Sequence, residues 1–139
     1  MQKFRVLSID DMIYQYPYIK EGNIRIIIIT KNKYEYNFVP LLELRFDDIT
    51  RNETNEKLSF ISKEDIDKIK RRIPDIKEAR IIYVCCDAGI SRSPAIASAL
   101  ARYLEDFESY SELMWKYPYA NKDIFQDLLL GLRNATVAD

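Results

Sequence analysis

The sequence predicts an α/β fold: a single compact domain with a central, mostly parallel sheet flanked by helices. Three observations carry this. Short β-branched apolar runs alternate with segments of helical periodicity, the order that builds crossover-connected parallel strands. One such run, Ile24 to Thr30, is apolar on successive positions, as expected of a strand covered on both faces. No repeat, low-complexity tract or Gly/Ser linker interrupts residues 1–139, and 139 residues suffice to bury a core without disulfides or metal.

Taken in order, Phe4 to Ile9 alternates apolar and polar residues and reads as a first strand. Ile24 to Thr30 is the second. Val39 to Phe46 is the third, with Pro40 near its start, where proline is tolerated. Residues 62–72 begin at Ser62 with Asp65 at the capping-box spacing and continue through Ile66 and Ile69 toward Ile73, an amphipathic helix. Ala79 to Cys85 is a fourth, strongly apolar strand that runs into a short glycine-containing turn. A helix follows from about Ser93, with Pro94 in its first turn, where a missing N–H costs nothing. Ile96, Leu100 and Leu104 repeat on one face and alanines fill most of the rest, so this helix is expected to be buried. Two further helices are expected near 109–116 and 121–133.

Composition narrows the chemistry. Hydrophobic residues make up 47% and charged residues 31%, the balance of a globular chain. With 21 basic and 22 acidic residues the net charge is −1, which argues against nucleic-acid binding by bulk electrostatics. There is no histidine, which excludes Ser-His-Asp and Cys-His catalysis and histidine-ligated zinc. Three glycines (Gly22, Gly89, Gly131) cannot form a GxGxxG or GxxxxGK[ST] nucleotide loop. No metal or cofactor is expected.

The N-terminal residues hold no signal-like apolar stretch, and the longest apolar run, Ile26 to Ile29, falls far short of the ~20 residues of a membrane span. Cys85 and Cys86 are adjacent and cannot staple distant segments. The expectation is a cytoplasmic, reducing setting with no membrane partner, in which the sequons at Asn52 and Asn134 are silent. Nothing demands more than a monomer.

The informative segment is VCCDAGISRSPAIASAL, residues 84–100. Cys86 ends a strand, and Arg92 stands six positions later at the mouth of a helix. The intervening Asp87, Ala88, Gly89, Ile90 and Ser91 are enough to wrap a loop whose backbone N–H groups point inward. That ring and the positive end of the helix dipole make an anion site of phosphate size. The same field favours a thiolate at Cys86. Arg92 can clamp two oxygens with its planar fork, and Gly89 supplies the backbone conformation that closes the loop.

This segment resembles the C-x5-R signature of the cysteine-based protein phosphatases, in the compact dual-specificity and bacterial tyrosine-phosphatase-like group. The match to its strand–CxAGxSRS–helix form covers Cys86, Ala88, Gly89, Ser91, Arg92 and Ser93. Weaker similarity extends through LELRFDDIT at 42–50 and KYPYANKDIFQDLL at 116–129. The resemblance implies that Cys86 attacks phosphorus and forms a phosphocysteine. Arg92 and the amides of residues 87–92 would stabilise the transferring group. Ser93 matches the hydroxyl that assists breakdown of the intermediate; it is also placed to cap the following helix. The implied partner is a phosphorylated protein or a small phosphomonoester.

Without histidine, a carboxylate is the natural candidate to protonate the leaving oxygen. The family places an aspartate on a loop a few dozen residues before the cysteine, and here FDD offers Asp47 and Asp48. Matching strand to strand favours Asp48; the other reading has both aspartates capping a turn.

The chain departs from the family at Cys85, where histidine is usual. Strand alternation turns Cys85 away from Cys86 into packing, as a small buried hydrophobe. The sharper alternative is a redox partner that traps oxidised Cys86. Asp87 adds negative charge to the loop, where phosphoinositide-type phosphatases commonly carry lysines, and so disfavours a multiply charged inositol or lipid substrate.

Ten tyrosines include Tyr14, Tyr16, Tyr18, Tyr34 and Tyr36 early in the chain. They read as half-buried packing on a sheet or helix edge, the alternative being an aromatic slot for phosphotyrosine. Lys68, Lys70, Arg71 and Arg72 read as a solvated helix face, and Trp115 and Phe125 as core. Two rivals accompany the phosphatase reading. One is a catalytically weak phosphate-recognising binding module on the same fold. The other is a different thiolate enzyme, such as an arsenate reductase or sulfur transferase. Arsenate reductases related to low-molecular-weight phosphatases carry the cysteine loop near the N-terminus, unlike Cys86, and a sulfur transferase would not need Arg92-Ser93.

Overall fold

The computed structural model describes residues 2–134. Its sheet has four parallel strands, β1 (Phe4–Ser8), β2 (Ile24–Ile29), β3 (Leu42–Leu44) and β4 (Ile81–Cys86), in the spatial order β1-β4-β2-β3. The helices are α1 (Ile9–Ile19), α2 (Lys63–Arg71), α3 (Ile73–Glu78), α4 (Arg92–Tyr103), α5 (Phe107–Lys116) and α6 (Lys122–Arg133). The predicted α/β architecture, with a parallel sheet covered by helices, is the one observed.

The inner strands are the two that read as apolar on successive positions, and every residue of β4 is buried. Their alternation feeds two cores. Ile82, Val84 and Cys86 face the large cluster containing residues of α2 to α6, whereas Ile81, Tyr83 and Cys85 face a smaller one with Ile9 and Met12 of α1. Helix α4 is buried from Ser93 to Ala101, as its alanine-rich pattern predicts. Its Ile96 and Leu100, both fully buried, contribute roughly 1.5–3 kcal/mol each. The register sets Cys86 level with Ser8 of β1 and Ile29 of β2, so the loop after β4 opens at the carboxyl edge of the sheet, where open α/β sheets place ligands.

The structure corrects several expectations. The first strand ends at Ser8 rather than Ile9, and α1 runs through residues 10–19, which the sequence leaves unassigned, beginning at Ile9. Ser8 caps it by accepting from the Asp11 amide, but Pro17 lies inside the helix and only Ile9 and Met12 are buried, so the apolar period is thin. The third strand shrinks from Val39–Phe46 to Leu42–Leu44. Pro40 offers no N–H, Val39 is 91% exposed, and the Phe46 carbonyl leaves the sheet to receive Arg92. Before β4, Pro74 interrupts the helical ladder, so α2 stops at Arg71 and the separate α3 begins. Trp115 is not core: it is 83% exposed on α5, while Phe125 is partly buried against the large cluster. Tyr14 and Tyr18 are likewise exposed.

Candidate active site

Four strand ends supply the site. Cys86 closes β4, and the turn 87–91 leads into α4 with Arg92 as its first residue. Gly89 adopts φ +72°, and a β-carbon there would sit 2.5 Å from the Ser8 amide nitrogen at the end of β1. A side chain at this position would therefore collide with backbone, which is why the loop can lie against β1 only with glycine. Ile90 projects outward, 56% exposed.

The loop converges on sulfur. The Gly89 amide donates to Cys86 Sγ at 3.3 Å and the Ser93 amide at 3.4 Å, while the Ser93 hydroxyl lies 3.1 Å away. Ser93 is fully buried at the second position of α4, so it is not that helix's N-cap. Ser91 holds the N-cap position without bonding the helix amides; its hydroxyl donates to Asp48 instead. The N-terminal end of α4 faces the same space and favours negative charge there.

Arg92 reaches across the site. Nη1 donates to the Phe46 carbonyl at 2.9 Å and Nη2 to Asp87 Oδ2 at 2.7 Å. Asp87 is thus turned toward Arg92 and the connection after β2, and it keeps its negative charge there. Its Oδ1 accepts from Thr30 Oγ1 at 2.7 Å, Asn32 Nδ2 at 3.2 Å and Tyr34 OH at 2.6 Å. Burial opposes the charged form, but Tyr34, Thr30, Arg92 and Asn32 outweigh it and bring Asp87 down to about 2. The same bond, followed by burial and the Asp87 charge, pushes Tyr34 up to about 12.

The two candidate acids part company. Asp48 is exposed and accepts from Ser91 Oγ at 2.8 Å and Asn121 Nδ2 at 2.9 Å, which ties it to the loop. Asp47 turns away, accepting from Lys31 Nζ at 2.9 Å and the Ser59 amide at 2.7 Å. Burial pushes Asp47 up, yet the Ser59 amide and Lys31 prevail and hold it below the usual carboxylate range, unsuited to donating a proton. Asp47 is thus anchored to Lys31 and Ser59, whereas the bonds of Asp48 run to Ser91 of the loop and to Asn121.

Cys85 is fully buried on the opposite sheet face from Cys86, and burial, then the neighbouring Cys86, pushes its thiol well up. Both cysteines are free. This placement favours the packing reading over the redox partner.

Sequence reasoning missed Thr30, Asn32 and Asn121, and it read Tyr34 as edge packing or an aromatic slot rather than as a donor to Asp87. Asn121 caps α6 through Ile124, donates to Asp48 and the Ile49 carbonyl, and gives its amide to the Ser91 carbonyl at 3.2 Å. Its position before a helical period was the one available signal. Among the described residues, no cluster of three or more His, Cys, Asp or Glu is arranged to hold a metal, and no helix is long and apolar enough to cross a membrane.

No protein-family model matches the chain, and no curated protein matches it. Solved structures do. The active form of Tk-PTP superposes with a TM-score of 0.56 at 17% identity, covering 91% of this chain and 90% of its own. A leucine-rich-repeat and phosphatase-domain protein of Entamoeba histolytica gives 0.53 at 18%, covering 96% and 88%. The human tyrosine phosphatase-like serine/threonine/tyrosine-interacting protein gives 0.58 at 18%, covering 90% and 87%. At these identities the likeness shows the fold: a single α/β domain matching tyrosine-phosphatase-like structures.

Proposed function

We propose that this chain is a phosphomonoesterase of the protein-tyrosine or dual-specificity phosphatase type, working through Cys86 without a metal. The observation that carries the reading is the convergence on Cys86 Sγ of the Gly89 amide, the Ser93 amide and the Ser93 hydroxyl, with Arg92 at the same strand end. Donors on sulfur stabilise a thiolate, and the loop amides and Arg92 suit an oxyanion.

In the first step the Cys86 thiolate attacks phosphorus, the S–P bond forms and the P–O bond to the leaving group breaks. The Asp48 carboxyl gives its proton to the departing oxygen, releasing an alcohol or phenol. In the second step water attacks the phosphocysteine and the Asp48 carboxylate takes its proton. The P–S bond breaks, and inorganic phosphate and the Cys86 thiolate are released. Ser93 Oγ stabilises the sulfur as it leaves. The substrates would be phosphorylated proteins or small phosphomonoesters, and a thiolate nucleophile suits a reducing, cytoplasmic setting; the reading is of a monomer.

A second reading is a phosphate-binding module on the same fold, motivated by Cys85 standing where the resembled family carries histidine. The test is hydrolysis of p-nitrophenyl phosphate, with chelator and reductant, by wild type, Cys86→Ser and Asp48→Asn. Turnover abolished in Cys86→Ser and strongly reduced in Asp48→Asn supports the enzyme. Phosphate binding by wild type without turnover supports the module.

A further inference from the structure

The carboxylate of Asp87 is saturated from an unexpected direction. Thr30, Asn32 and Tyr34, all on the connection leaving β2, donate to one oxygen, while the other receives Arg92. These donors are themselves fixed. Thr30 Oγ1 accepts from the Asn32 amide at 3.0 Å, which aims its proton at Asp87. The Tyr34 ring stacks on Tyr36, Tyr36 stacks on Phe38, and Phe38 lies against Tyr16 of α1, so the phenol projects from an anchored aromatic row. Three donors on Oδ1 leave the carboxylate no freedom to rotate.

Arginine carries five N–H donors in a rigid fork. Asp87 and the Phe46 carbonyl take one each, on the two terminal nitrogens, leaving the remaining donors for an anion. A long side chain with many rotamers is thereby fixed before a ligand arrives, which removes an ordering cost from binding. We propose that Asp87 is a positioning residue: held by Thr30, Asn32 and Tyr34, it orients the Arg92 guanidinium for oxyanion binding. This rests on the reading of the loop as a phosphoryl site, and deepens it by giving the β2–β3 connection a part in that site.

Charge alone and positioning predict opposite results. If Asp87 acted only as a nearby negative charge, neutralising it would tighten anion binding. If it orients Arg92, neutralising it weakens binding, because the donors on Oδ1 no longer hold a carboxylate facing the guanidinium.

The experiment measures inorganic phosphate and tungstate affinity by calorimetry for wild type, Asp87→Asn, Tyr34→Phe and Thr30→Val. The Arg92 Nε–H resonance is followed in 1H–15N spectra of the same proteins, alongside kcat/KM for p-nitrophenyl phosphate. The expected result is a roughly 10- to 100-fold loss of oxyanion affinity in Asp87→Asn, the scale of a hydrogen bond to a charged group. Tyr34→Phe should lose a few-fold, and the Arg92 Nε–H signal should broaden or shift in both. Unchanged or tighter binding in Asp87→Asn with an unmoved Arg92 resonance overturns the proposal. If Asp87→Asn does not fold, Tyr34→Phe and Thr30→Val decide by the same two readouts. Wild type that binds phosphate without hydrolysing the ester overturns the enzyme reading alone, and the affinities and resonance then judge Asp87. Wild type that binds no oxyanion overturns both.

Discussion

The Ser93 hydroxyl lies 3.1 Å from the Cys86 sulfur, inside the first turn of a helix buried from Ser93 to Ala101. A hydroxyl so placed can hydrogen-bond sulfur both as attacking thiolate and as leaving group, and in the proposed mechanism its aid is greatest where the P–S bond breaks. Ser93→Ala is therefore predicted to keep formation of the phosphocysteine and slow its hydrolysis by roughly 10- to 100-fold, the scale of one hydrogen bond to a charged atom. Stopped-flow release of p-nitrophenol checks this. The expected trace is a burst followed by a depressed steady rate, and a uniformly slow trace without a burst contradicts it.

Gly89 makes the loop possible by letting it rest on β1. Gly89→Ala combines a left-handed φ with a β-carbon 2.5 Å from the Ser8 nitrogen and 2.7 Å from the Leu7 carbonyl carbon. Strain and overlap together should cost about 2–5 kcal/mol, seen as a lowered urea midpoint and lost oxyanion binding. A variant with unchanged midpoint and affinity contradicts the loop's geometry.

Asn121 does two jobs that substitution can separate. Asn121→Ser retains a capping side chain for α6 but cannot reach Asp48 in the same way. The expected outcome is stability within roughly 0.5 kcal/mol of wild type and kcat reduced roughly 3- to 10-fold, matching one neutral-donor hydrogen bond. Equal kcat with intact stability would remove Asn121 from the positioning of the acid.

Asp87 and Tyr34 report one contact from both ends of the pH scale. Asp87 falls from 3.8 to about 2 on folding, so its contribution is complete above pH 3.8 and is lost as pH falls toward 2. Tyr34 rises from 10.0 to about 12, so its contribution is complete below pH 10 and is lost as pH rises toward 12. The difference in unfolding free energy between wild type and Tyr34→Phe, from urea titrations, should be level between about pH 5 and pH 9 and shrink at both extremes. A difference that grows toward either extreme contradicts the bond.

What the sequence made legible was local. The C-x5-R loop, its glycine, and the strand and helix on either side all lie within one short segment, where spacing alone fixes the order of parts. The buried strands declared themselves by unbroken β-branched runs. What stayed hidden depends on distance. Asp87 reads as a loose charge until Thr30, Asn32 and Tyr34, 53 to 57 positions away in sequence, close around it. Asp47 and Asp48 look alike as neighbours, and only Lys31 and Ser59 on one side and Ser91 and Asn121 on the other tell them apart. Trp115 followed a helical period, but period does not say which face meets the core, and its face meets water.

In the proposed mechanism Cys86 carries the phosphoryl group. This is tested most directly by rapidly quenching Ser93→Ala during turnover of p-nitrophenyl phosphate and mapping the modified peptide by mass spectrometry, with Cys86→Ser as control. The expected result is the added mass of one phosphoryl group on Cys86, absent from the control. Hydrolysis that persists in Cys86→Ser, or turnover of Ser93→Ala with no phosphoryl group on Cys86, would contradict it.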